Sequence, residues 1–80
     1  MYDQAFEFMQ ETYREYRDAL KREGEALERY GRRDYHSEYW RERADRAMYM
    51  LFGQAELCKE LFGVYALQTI FRIEREFDGK

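Results

Sequence analysis

Residues 1–30 read MYDQAFEFMQETYREYRDALKREGEALERY, and their apolar side chains keep a regular beat. Tyr2, Phe6, Met9, Tyr13, Tyr16, Leu20, Leu27 and Tyr30 fall at alternating steps of four and three, with Glu23 as the polar interruption. Such steps return to one side of an α-helix, so the segment predicts a long helix whose apolar seam must lie along a partner helix. Asp3 is a suitable N-cap and Gly31 a suitable stop. The predicted helix spans 3–30 and is about 40 Å long at ~1.5 Å per residue. Gly24 weakens it locally and makes a bend near Glu23 plausible. Glu23 itself needs a basic partner, for which Arg43 is placed.

Gly31-Arg32-Arg33-Asp34 is a turn, and a connection this short makes the flanking helices antiparallel neighbours. Asp34 caps a second helix over 34–62. Trp40, Ala44, Ala47, Leu51, Ala55, Cys58, Leu61 or Phe62, and Tyr65 line its apolar side, and the small alanines offer room for the rings of the first helix. That stripe fails at Gly63. Val64, Leu67, Ile70, Phe71 and Phe77 are rotated away from it, which predicts a break and a third helix over 64–77. Tyr49, Phe52 and Leu57 lie off the main stripe and call for that helix, or a second copy of the chain, as a cover. The expected fold is therefore all-α: a long antiparallel helical hairpin plus a shorter third helix, in one 80-residue domain open to dimerisation. A third helix of roughly 20 Å covers only half of such a hairpin, so the turn end, Leu20 to Arg46, should project as a bare two-helix tip.

Composition agrees and narrows the function. There is no proline, and charged residues make up 39% of the chain, a mix that favours helix over hairpin turns. A net charge of −3 implies neither general affinity for DNA nor for an anionic membrane. Asp3 and Glu7 stand where a signal peptide would be basic and then apolar, and no uncharged run is long enough to span a bilayer. The chain reads as soluble and cytoplasmic. Eight tyrosines, six phenylalanines and one tryptophan are more rings than a small core needs, and half-wet rings belong to contact surfaces.

Two stretches stand out as candidate partner-binding residues. At the tip, Tyr30, Arg32, Arg33, Tyr35, Tyr39 and Trp40 combine the residue types of protein hot spots. On the first helix, Asp3, Glu7, Glu11 and Glu15 recur every fourth residue, although like charges at that spacing repel by about 0.2–0.5 kcal/mol per pair. Such a strip suits a basic partner surface, with a carboxylate every ~6 Å against a phosphate every ~3.4 Å of a DNA strand. Met48 and Met50 beside Tyr49 and Phe52 offer an adaptable patch.

Nothing points to chemistry. Cys58 sits in an apolar stripe with no histidine to activate it, and His36 is a lone ring at the start of the second helix. One cysteine and one histidine cannot make a zinc site, and no Glu-x-x-His or phosphate loop is present. No catalytic residue, cofactor or metal is expected. The reading is a non-catalytic protein-binding module, of the kind phages and mobile elements use as small inhibitors or adaptors, docking on a basic surface of a nucleic-acid-handling protein. Two alternatives follow from the same residues: a nucleic-acid-binding module using the Arg/Tyr tip, and a structural coiled-coil oligomer.

Overall fold

The computed structural model describes residues 2–79. Three helices follow in order, α1 (Tyr2–Tyr30), α2 (Tyr35–Phe62) and α3 (Ala66–Asp78), with no strand among the described residues. α1 and α2 run antiparallel along their whole length, and α3 folds back on their open end. The architecture is an all-α three-helix bundle, elongated at 44 × 24 × 17 Å.

The ends of the helices differ in detail from expectation. α1 already includes Tyr2, so Asp3 lies within its first turn; there its carboxylate faces the positive end of the helix dipole instead of capping. Asp34 caps α2 as anticipated, its side chain accepting a hydrogen bond from the His36 amide at 2.9 Å. Gly63 ends α2 in the left-handed region, φ +74°, and donates its N–H to the Lys59 carbonyl at 2.8 Å. Turning the chain back then takes Val64 and Tyr65 as well. α3 consequently starts at Ala66, two residues later than the predicted 64, and runs one further, to Asp78.

The core lies under α3. Met9, Leu51, Thr69 and Ile73 are fully enclosed, and Phe6, Tyr13, Ala55, Cys58 and Ile70 pack around them. α3 lies along one row of α1: Tyr2 Oη meets Thr69 Oγ1 at 3.5 Å, Gln10 donates to Glu76 at 3.0 Å, and Tyr13 meets Phe77 edge-on at 5.3 Å. Arg72 and Arg17 close the flanks, stacked over Phe6 at 4.1 Å and Phe77 at 5.1 Å. Their aliphatic stems cover ring surface while the charges stay wet.

Three expectations about packing are corrected. First, the seam of α1 changes row: Leu27 is 38% and Tyr30 47% exposed, Leu20 is half-buried, and Ala19 and Ala26 are buried in their place. A straight helix repeats every 3.6 residues and drifts about 20° per heptad against a 3.5-residue pattern. α3 occupies the Tyr2–Phe6–Tyr13 row, so α2 takes the neighbouring Thr12–Ala19–Ala26 row. Where α3 does not reach, the buried seam of the hairpin is thus made of small side chains, Ala19, Ala26, Ser37, Ala44 and Ala47, and no ring of α1 nests there. Second, α3 turns Ala66, Thr69, Ile70, Ile73 and Phe77 inward and leaves Leu67 and Phe71 exposed. The stripe is centred on Ile73, to which Leu67 and Phe71 stand more than a quarter-turn away. Third, Tyr49, Phe52 and Leu57 stay exposed, because α3 seats on Leu51, Ala55 and Cys58 instead. Glu23, too, meets Arg41 at 3.7 Å and not Arg43.

The two kinds of glycine should respond oppositely to alanine. A Cβ on Gly24, inside α1, or on Gly63 meets nothing within 4 Å, so only the backbone decides. Gly24→Ala is expected to raise stability by about 0.5–1 kcal/mol, whereas Gly63→Ala forces a left-handed alanine and should lower it by about 1–2 kcal/mol. Urea denaturation followed by helical circular dichroism measures both.

Candidate functional site

The turn end is built from local rules. Gly31, φ +89°, closes α1 with its N–H on the Leu27 carbonyl at 3.0 Å. Ser37 is buried, and its hydroxyl donates to the Gly31 carbonyl at 2.7 Å, tying the first turn of α2 to the last residue before the loop. Asp34 accepts from both the amide and the ring Nδ1 of His36, at 2.9 and 2.7 Å. These bonds hold His36 flat against Tyr30, ring centres 4.3 Å apart.

From that stack the rings continue without a gap. Tyr35 meets His36 edge-on at 5.9 Å and stacks with Tyr39 at 6.2 Å, and Tyr39 meets Trp40 edge-on at 5.0 Å. Arg22 of α1 lies over Trp40 at 4.9 Å, and Arg43 over Tyr39 at 5.8 Å. The six tip residues singled out from sequence therefore share one end of the molecule but not one environment. Tyr35 is 74% exposed, Arg32 and Arg33 are exposed, and Trp40 is half-buried beneath Arg22. His36 and Ser37 are the members that composition missed. Ser37 falls at the fourth residue after Arg33 and at the alanine-seam spacing before Ala44, the one hint of its inward direction.

Asp3, Glu7, Glu11 and Glu15 are all exposed, and none has a cation within 4.0 Å among the described residues. They do not form a straight strip. Each four-residue step advances about 40° around the helix, so the line winds through about 120° from Asp3 to Glu15. Glu15 ends in the groove between α1 and α2, where Asp18, Arg43, Arg46 and Met50 also line the wall.

Cys58 is buried, and burial pushes its thiol pKa up, away from the thiolate a nucleophile needs. No group of three or more His, Cys, Asp or Glu side chains among the described residues could hold a metal ion. An open groove of about 440 Å³ beside the turn is walled by Glu23, Arg32, Glu38, Arg41 and Asp45, whose charges are spread around its rim. Among the described residues no helix is long and apolar enough to cross a membrane. Comparison with protein-family models, with curated proteins and with solved structures gives no match, so function is argued from the geometry.

The Asp34 cap carries a pH dependence with a definite sign. Hydrogen bonds from the His36 amide and ring hold its carboxyl below the usual carboxylate range. A carboxyl with a lower pKa folded than unfolded stabilises the fold at neutral pH, and that contribution disappears as pH falls below about 4. Asn also caps helices but does not titrate, so Asp34→Asn should flatten the acid limb of a melting-temperature profile relative to wild type.

Proposed function

We propose that this chain is a non-catalytic protein-binding module whose contact surface is the ring-and-arginine tip. The supporting observation is the continuous ring array Tyr30–His36–Tyr35–Tyr39–Trp40, fixed in place by the Asp34 and Ser37 hydrogen bonds and crowned by an exposed Tyr35. Binding normally costs about 0.5–1.5 kcal/mol for each flexible side chain that must be ordered. Rings already braced against one another avoid much of that cost, and Tyr, Trp and Arg are the residue types that dominate protein contacts.

Two features favour protein over nucleic acid. Single-stranded bases stack on free ring faces, whereas one face of Tyr30 is taken by His36 and that of Trp40 by Arg22. Charge is also nearly balanced at this end: Arg29, Arg32, Arg33, Arg41 and Arg43 stand among Glu28, Asp34, Glu38 and Glu42. Such a surface has little net attraction for phosphates. The carboxylates Asp3, Glu7 and Glu11 supply a second contact, suited to a basic surface. The pair of surfaces is what a small inhibitor or adaptor of a nucleic-acid-handling protein would use, and the tip carries more of the specificity because the acidic line winds around its helix.

The test is affinity capture from the source organism's extract with wild type, with Tyr35→Ala/Tyr39→Ala, and with Glu7→Lys/Glu11→Lys. All four residues are exposed, so helicity should be unchanged. The tip variant should lose the captured protein by about tenfold or more, as hot-spot truncations do, and moderate salt should leave the wild-type complex largely intact. Capture that ignores the tip variant but collapses with the acidic variant would move the contact to the strip. Recovery of nucleic acid instead, with steep loss in salt, would favour the phosphate-binding alternative.

A further inference from the structure

The hairpin face turned away from α3 is divided into two halves. Near the helix ends it is apolar: Phe8 is 63% and Leu61 65% exposed, Leu57 is exposed beside them, and Ala5, Met9 and Phe62 line the same groove. Gln54 sits in that groove with its Oε1 buried and no donor among the described residues. Toward the turn the same face becomes charged. Glu15 and Asp18 project from α1, with Arg22 folded back onto Asp18 at 2.9 Å and over Trp40, while Arg43 and Arg46 project from α2 at the level of Glu15 and Asp18. Phe8 and Phe6 are about 200° apart on α1 at ~100° per residue, so α3, seated on Phe6, leaves all of this uncovered.

We propose that a second copy of this chain covers the face, related by a two-fold axis parallel to the hairpin. That operation lays α1 of each copy along α2 of the other at the same height. Phe8 then meets the Leu57/Leu61 surface of the partner copy, and Glu15 and Asp18 meet the partner copy's Arg43 and Arg46. Both contacts occur twice, as two-fold symmetry requires. The product is a four-helix bundle with the two α3 helices outside. A head-to-tail arrangement would instead press the apolar half of one copy onto the charged half of the other. Charge complementarity therefore selects both the occupant and its direction.

This goes beyond the tip reading and adds to it. An axis parallel to the hairpin points both turns the same way, so the dimer would present two ring arrays side by side and bind a repeated or two-fold partner with avidity. The footprint, about 27 Å along two helices each ~10 Å wide, is at the small end of stable interfaces. A reversible dimer in the micromolar range is the expected behaviour.

Sedimentation of the purified chain from about 1 μM to 1 mM tests this, a range that brackets such an affinity. Wild type should pass from monomer to dimer, and Leu57→Glu/Leu61→Glu should stay monomeric with unchanged helicity. Arg43→Glu/Arg46→Glu and Glu15→Arg/Asp18→Arg should each weaken self-association by about tenfold or more, and an equimolar mixture of the two should form a heterodimer. Wild type that is monomeric throughout overturns the proposal. So do charge variants that associate like wild type, or a mixture that fails to pair. Tyr35→Ala alone, which leaves the Tyr39 ring under Arg43 in place, should leave the mass unchanged, so failure here and failure of the tip reading are separate results.

Discussion

A helix of 13 residues cannot cover a hairpin whose arms have 29 and 28, and from that mismatch the rest of the molecule follows. Over the covered half, three helices enclose Met9, Leu51 and Ile73, and the apolar surface removed from water is concentrated there. Over the bare half two helices have no third wall. Their buried contact is reduced to alanines and Ser37, and the larger Leu20 and Trp40 remain half in water. The turn end gains its order from hydrogen bonds and ring stacking, since no core extends beneath it. A stable base and a locally braced tip are two solutions to one shortage of cover.

The helices and the hairpin were legible in the sequence because they depend on local signals. The beat of Tyr2, Phe6, Met9 and Tyr13, the Asp34 cap and the glycine at 63 each act within a few residues. The change of row along α1 was not legible. Leu27 and Tyr30 continue the apolar pattern perfectly, yet Ala26 is the residue that α2 covers. Which row wins depends on where α3 sits, and that is a property of the assembled bundle. The same reason hid Ile73, and left Tyr49 and Phe52 waiting for a cover that α3 does not provide.

For the candidate site the balance was similar. The crowding of arginine and tyrosine at residues 29–43 was visible as composition. What composition could not show is arrangement: that His36 is the link between Tyr30 and Tyr35, that Ser37 points inward, and that Arg22 from the opposite arm shields Trp40. The acidic residues illustrate the converse. Their spacing looks like a line in the sequence, and the 3.6-residue turn winds it around the rod, so that Glu15 shares a groove with Arg43 and Arg46 while Asp3 does not.

The alanine seam has a consequence for anyone mapping this molecule by mutation. Ala19, Ala26, Ala44 and Ala47 set how closely the arms approach, and each contributes no more than a methyl group. Alanine scanning passes over all four in silence. Enlarging any one to valine or leucine would wedge the prongs apart and tilt the ring-bearing end as a lever, moving residues far from the change. A map drawn only by truncation would therefore leave the seam blank, although the geometry of the bare half hangs on the smallest side chains it has.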